Sequence, residues 1–292
     1  MNKVMSAPGY VHGYSPGEAQ RLGDQADTLS GLLHSGTSYP AGSEVLEVGC
    51  GVGAQTVHLV AGSPAARFTA VDISASSLDQ ARAAVAASAP GAAVRWLQAS
   101  LLDLPVPDAA FDHLFVCFVL EHLPDPVAAA AGLRRVLRPG GTITVIEGDH
   151  GSAFFHPDSS AARAAIGALV ALQAAAGGNG LLGRQLQPVL GAAGYQDIVV
   201  EPRTMYVDPT RPALVEGFTR NTFTAMVAGV RDDAVAAGLL SAAEFDQGLA
   251  DLRRTESGTL HYTFAKATAV SPGPAPAPAP ARADAGPGGR GR

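Results

Sequence analysis

Three glycines, Gly49, Gly51 and Gly53, alternate in the stretch VLEVGCGVGAQ (45–55), directly behind an apolar run that carries Glu47. Glycine lets a main chain approach a ligand closely and adopt positive φ, and a helix starting just after the turn offers unpaired N–H groups. The stretch therefore reads as a cradle for a polar, nucleotide-like molecule. Asp72 closes the next apolar run in FTAVDIS, where a carboxylate can accept the hydroxyl protons of a ribose. A dinucleotide fingerprint spaces its glycines G-x-G-x-x-G or G-x-G-x-x-A, and Ala54 occupies the third place here, so spacing alone leaves a dinucleotide open. Glu47 weighs the other way: a second negative charge beside the turn opposes a pyrophosphate and suits a ligand bearing a cationic amine or sulfonium.

A second group of reactive side chains lies in EGDHGSAFFHPDS (147–159). Asp149 beside His150 reads as a base oriented by an acid, with His156 as a second candidate, since histidine titrates near neutral pH. Phe154 and Phe155 are placed to wall a substrate, although Asp149 and His156 could equally cap turns. Two histidines six apart match no metal signature, so no metal site is expected. Tyr10, His12, Tyr14 and Arg21 form a polar, aromatic N-terminal stretch, and MYVDPTRPALVEGFTRNTFTAMVAGV supplies Met205, Tyr206, Phe218, Phe223 and Met226 as an apolar roof or as core.

The elements that must hold these groups alternate. Short apolar runs predict strands over Glu44–Val48, Arg67–Val71, Val94–Gln98, His113–Cys117 and Thr142–Glu147, separated by helices over Gln55–Val60, Ser76–Ser88 and Pro126–Val136. Strand alternating with helix implies an α/β fold with a mainly parallel sheet covered on both faces. An amphipathic helix is expected over Pro16–His34. The 147–159 stretch reads as a long polar connection after the fifth strand, followed by a helix over Ala161–Ala176, a flexible GGNG, a strand around Asp197–Glu201, helices near Pro212–Ala228 and Ala242–Arg253, and a last strand TLHYTFAKATAV. SPGPAPAPAPARADAGPGGRGR, from Ser271 on, cannot bury apolar surface and reads as a disordered tail.

The 292 residues are 47 % hydrophobic with a formal charge of −6, enough for a full core. The 20 Lys and Arg form no basic run, so nucleic acid is not an expected partner; a small molecule is. No apolar stretch is long enough to span a bilayer and none near the start resembles a leader, so no membrane association is expected. Cys50 and Cys117 sit inside apolar segments, as in a reduced cytoplasmic interior. A monomer or homodimer is expected.

VLEVGCGVG, the acidic residue of AVDIS, LLDLPVPDAAFDHLFVCFVLEHLPDP and VLRPGG occur in order over residues 45–141, and together they resemble the class I S-adenosylmethionine-dependent methyltransferases, in particular the ubiquinone and menaquinone biosynthesis C-methyltransferase-like branch. The resemblance implies a Rossmann-like fold with a mostly parallel seven-stranded sheet, helices on both faces and an N-terminal helical lid. It divides the chain into a lid segment (1–40), a methyltransferase domain (41–270) with substrate-side insertions at about 148–190 and 205–255, and the tail (271–292). S-adenosylmethionine is the implied cofactor. Its methionine portion would lie against Glu47, Gly49, Gly51 and Gly53, its ribose on Asp72, and its adenine beside Ile73, Ser100, Leu101 and the main chain of Cys117. His122 falls at a position near the cofactor, and Tyr14 or Arg21 of the lid would meet the methionine carboxylate. Ser100 stands where members of the branch carry Asp, which weakens the contact expected at the adenine amino group. His150, His156 and Asp149 are the catalytic candidates. The expected activity is methyl transfer to a small aromatic or secondary-metabolite acceptor through C, O or N; the alternatives are an NAD-dependent oxidoreductase and a non-catalytic cofactor-binding regulatory protein.

Overall fold

The structure, a computed structural model, describes residues 25, 26 and 28–272. Residues 1–24 and 273–292 lie outside the described residues, and with them the expected lid residues Tyr10, His12, Tyr14 and Arg21 and most of the expected tail.

Seven strands form one sheet: β1 (Glu44–Val48), β2 (Arg67–Asp72), β3 (Val94–Gln98), β4 (Phe111–Cys117), β5 (Leu137–His156), β6 (Gln196–Val207) and β7 (Thr259–Val270). Their order is β3-β2-β1-β4-β5-β7-β6. The first five are parallel, and β7 runs antiparallel to both β5 and β6. A dinucleotide-binding sheet runs 3-2-1-4-5-6, so an antiparallel strand wedged between the fifth and sixth separates the two architectures. The strand order reverses at β1 and β4, and in open α/β sheets ligands bind beyond the carboxyl ends of strands at such a point.

Helices α1 (Thr56–Gly62), α2 (Ala75–Ser88) and α3 (Pro126–Leu133) connect the parallel strands. Each expected helix start has a physical cause where a cap is present. Ser74 accepts from Ser77 N–H at α2, and Asp125 caps α3 with Pro126 in its first turn. Leu78, Ala81 and Val85 then recur at helical spacing and bury one face of α2. Alternation along β4 sends Phe115 and Cys117 into one core and Leu114 and Val116 into the other, so both faces of the sheet are covered.

The second half departs from expectation in several places. The stretch 148–156, read above as a polar connection, is strand: β5 continues to His156, pairing Asp149 with Thr263 and, after a register shift, Phe154 with His261. Its polar residues mimic a loop in the sequence because they find partners inside the protein. Ser152 Oγ donates to the Asp149 carbonyl at 2.6 Å and accepts from Thr263 N–H at 2.8 Å. β6 is likewise longer than Asp197–Glu201, because β7 offers it a full-length partner.

Helices α4 (Ser160–Ala175), α5 (Leu186–Ala192), α6 (Arg231–Ala236) and α7 (Ala242–Arg254) complete the α layers. The predicted helix near Pro212–Ala228 exists, but its middle, Val215–Thr224, is wound as a π-helix. GGNG, expected to be flexible, is instead closely packed. A Cβ at Gly178 would lie 2.6 Å from the Glu121 carbonyl, and one at Gly180 would lie 2.6 Å from Gln173 Oε1. Glycine is needed there to let the backbone approach, not to loosen it.

Candidate functional site

The site is assembled at the carboxyl ends of β1, β2, β4 and β5. Gly49, Gly51 and Gly53 follow β1 with φ of 71°, 52° and 81°, so all three use the left-handed region. Their surroundings differ. A Cβ at Gly49 would meet Val119 Cγ2 at 2.5 Å and one at Gly53 would meet the Ala81 backbone at 2.8 Å, whereas one at Gly51 would meet nothing within 4 Å. Gly49 and Gly53 press the turn against the β4 loop and α2, and Gly51 faces open space. That open side is where a ligand can approach the main chain.

Two carboxylates flank the turn. Asp72, at the end of β2, accepts from Gly51 N–H through Oδ2 and from Ser74 N–H through Oδ1, both at 2.8 Å. It therefore fixes the loop, and each oxygen retains capacity for a hydroxyl donor. Burial raises its proton affinity, opposed by those N–H groups. Glu47 is buried beneath the loop, where Thr56 Oγ1 donates to its Oε2 at 2.7 Å. Burial, with a smaller contribution from the charge of Asp72, pushes the Glu47 carboxyl up to about 7. A cation above the loop would hold it ionised.

Ile73 is 51 % exposed at the end of β2, and Leu102 is 70 % exposed after β3. Large apolar side chains left in solvent at a ligand edge suit a flat heteroaromatic ring. Gln98 Nε2 donates to the Ile73 carbonyl at 3.1 Å and Ala99 N–H to the Asp72 carbonyl at 3.1 Å, so the β2 and β3 ends are tied together. Ser100 accepts from Leu102 N–H through Oγ at 3.2 Å, and Leu101 is half-buried. Cys117 ends β4 with its side chain buried and its thiol proton held tightly by burial. The expected cofactor residues within the described region thus gather around one edge, with His122 half-buried in the 3-10 turn after β4.

The catalytic candidates do not gather in the expected way. Asp149 and His150 do not form an acid–base dyad. Asp149 is bound bidentately by Arg184, Nε to Oδ2 at 2.8 Å and Nη2 to Oδ1 at 2.7 Å. His150 is buried and pairs through Nδ1 with the Tyr262 hydroxyl at 2.7 Å. His156 stands exposed at the far end of β5, pairing with Thr259 beyond the register shift that follows Asp149. Of the two phenylalanines, Phe155 is in the core, and Phe154 is 64 % exposed against His261.

Several residues at this edge escaped sequence reasoning. Phe118 takes a φ of 57°, which places its ring 5.6 Å from that of Phe264 on β7. Nothing in the sequence marks a non-glycine residue in that conformation. Glu147, noted as polar but given no role, is fully buried and accepts from Val119 and Leu120 N–H at 3.2 and 2.8 Å. Burial first, and Glu121 second, raise its proton affinity well above the usual carboxylate range. Its position inside β5, directly after the apolar residues Val145 and Ile146, was the available signal. Among the described residues no group of three or more His, Cys, Asp or Glu side chains could hold a metal ion, and no helix is long and apolar enough to cross a membrane.

Comparison with known proteins agrees with this fold. Residues 46–145 match the family model described as a methyltransferase domain. O-methyltransferase cnsE of Penicillium expansum is 33 % identical over 142 residues, 48 % of this chain and 51 % of the relative. An uncharacterized 37.1 kDa protein in transposon TN4556 of Streptomyces fradiae is 32 % identical over 209 residues, 70 % of this chain and 59 % of the relative. The chain spans about half the length of the curated relatives it matches. Among solved structures, the [4+2]-cyclase SpnF superposes with a TM-score of 0.53 at 23 % identity, covering 85 % of this chain and 82 % of that one, which establishes a shared fold.

Proposed function

We propose that this chain, which carries a class I S-adenosylmethionine-dependent methyltransferase domain, transfers a methyl group to a small-molecule acceptor. The observation that carries the reading is the glycine turn at the β1/β4 reversal of a 3-2-1-4-5-7-6 sheet, with the Cβ side of Gly51 open and Asp72 holding its N–H. Those residues fit S-adenosylmethionine: Gly51 leaves room for the ligand, Asp72 can receive ribose hydroxyls, and exposed Ile73 and Leu102 can cover adenine. Ser100 Oγ is engaged with Leu102 N–H, so adenine is held here by apolar cover more than by a side-chain carboxylate. When bound, S-adenosylmethionine supplies a methyl group already activated by its sulfonium. The protein has only to exclude water and align an acceptor behind that methyl.

The acceptor side is assigned to Phe118, the β5 end and the π-helical segment whose Phe218 and Phe223 pack on Tyr262. His122, His150 and Asp149 keep a part as positioning residues, while the exposed His156 is assigned none in the transfer. Likeness to a 27-O-demethylrifamycin SV methyltransferase supports a secondary-metabolite acceptor, and the order of VLEVGCGVG, AVDIS, LEHLPDP and VLRPGG supports placement near the ubiquinone and menaquinone C-methyltransferase-like branch. A cytoplasmic monomer or homodimer without nucleic-acid affinity fits the acidic charge and the two free, buried cysteines.

Calorimetric titration of the full chain with S-adenosylhomocysteine and, separately, NADH tests the assignment. Micromolar binding of the first and none of the second is expected; the reverse would return the glycine turn to a dinucleotide.

A further inference from the structure

Beyond the glycine cradle, a second polar group lies where the end of β4 meets the middle of β5 and the amino-terminal half of β7. Glu147 is fully buried: Oε1 takes the two N–H groups of the β4 turn, and Oε2 has no hydrogen-bond partner. Glu121 stands close enough to raise the proton affinity of Glu147. Its Oε2 lies 3.6 Å from the point a Cβ on Gly148 would occupy, and the Tyr262 hydroxyl lies 2.6 Å from that same point. Gln173, buried on α4, donates through Nε2 to the Glu121 carbonyl at 3.4 Å, and its Oε1 is a further buried oxygen with no donor. Glycines make this close packing possible, because a Cβ at position 148, 178 or 180 would collide with the Tyr262 hydroxyl, the Glu121 carbonyl or Gln173 Oε1, each 2.6 Å away.

Gln173 Oε1 is an acceptor with no donor, and Glu147 Oε2 is a second one whenever that carboxyl is ionised. Two buried carboxyls also cannot both ionise without a neighbouring cation. Arg184 is committed to Asp149, and among the described residues no lysine or arginine forms an ion pair with Glu147. His122 Nε2, 3.5 Å from Glu121 Oε1, can answer one of the two charges when protonated, which leaves the other. An alcohol or phenol brings a single O–H and no charge. An ammonium group brings several N–H donors and a positive charge together.

We propose that Glu147 and Glu121, with Gln173 Oε1, receive the head group of the methyl acceptor, and that this head group is a protonated primary or secondary amine. The proposal rests on the methyl-transfer reading above. In the step it implies, the ammonium gives one proton to the Glu147 carboxylate, which frees the nitrogen lone pair. The nitrogen then bonds to the methyl carbon while the carbon–sulfur bond breaks and its electron pair goes to sulfur, leaving a methylated ammonium and a neutral thioether.

Methylammonium is the probe, because it carries the head group without a guess at the rest of the acceptor. The full chain is saturated with S-adenosylhomocysteine, then crystallised and thermally unfolded in methylammonium chloride and in sodium chloride of equal ionic strength. The expected result is a methylammonium nitrogen about 3 Å from Glu147 Oε2, with a stabilisation over sodium that Glu147→Gln weakens at least tenfold in apparent affinity. Gln173→Met, which leaves the β4 turn capped, is expected to weaken it as well. S-adenosylhomocysteine affinity stays unchanged in both variants. The same density in both salts, or methylammonium binding unaltered in both variants, overturns the amine assignment while methyl transfer stands. Failure of S-adenosylhomocysteine to bind the same sample sinks the methyl-transfer reading instead.

Discussion

Adding one methyl group at either of two neighbouring glycines separates what the turn does for the fold from what it does for the ligand. Gly53→Ala forces a side chain to φ +81°, beyond the left-handed well near +50 to +70°, and puts its Cβ 2.8 Å from the Ala81 backbone, which cannot swing aside. Backbone strain of about 1–2 kcal/mol and overpacking of about 1–3 kcal/mol combine to roughly 3 kcal/mol. For a chain of this size that lowers Tm by about 6–12 °C. Gly51→Ala meets φ +52°, inside the well, and no atom within 4 Å. Strain of about 1 kcal/mol and a fall of about 2–4 °C follow. Its new methyl points into the space assigned to the ligand, so S-adenosylhomocysteine affinity should drop at least tenfold, about 1.4 kcal/mol. Differential scanning calorimetry and titration calorimetry read the two effects. Equal loss of Tm in both variants, or wild-type ligand affinity in Gly51→Ala, would refute the division of labour among the glycines.

Three further outcomes are expected. The Glu47 carboxyl has its pKa raised to about 7 in the folded chain. The folded state then binds more protons than the unfolded one between about pH 4.5 and 7. Stability of the ligand-free chain should accordingly fall as pH rises through that window, and Glu47→Gln should flatten the slope in Tm-against-pH scans. Asp72→Asn removes the charge behind the Gly51 N–H bond and the ribose contact; titration calorimetry should show an affinity loss of about 10- to 100-fold, in line with about 1.5–3 kcal/mol for a charge-assisted hydrogen bond. Arg184→Ala leaves the buried Asp149 carboxylate without its bidentate partner and should cost about 1–3 kcal/mol in urea unfolding.

The parallel half of the sheet was legible because its signals are local. Runs such as VLEV and RFTAVD are bounded by turns, and Asp125-Pro126 announces a helix start within a few residues. The position of the glycine turn was legible for the same reason, since the glycines, Asp72 and Ile73 sit at strand ends that periodicity locates. The course of the chain after Glu147 was not. Asp149 and His150 look like a loop-borne dyad, yet their partners, Arg184 and Tyr262, are distant in sequence, and only β7 pairing reveals that the segment is strand. The same applies to GGNG: a run of small residues reads as slack unless the carbonyls and side chains packed against it are known. Phe118 shows the limit most plainly, because its left-handed backbone is imposed by the surrounding turn, in which Glu147 binds the next two N–H groups.

The central claim is tested most directly by a crystal structure of the full chain with S-adenosylhomocysteine. The account predicts ribose hydroxyls on Asp72, adenine against Ile73 and Leu102, and the amino-acid portion over Gly51. Ligand density elsewhere, or density over the glycine turn without contact to Asp72, would contradict it.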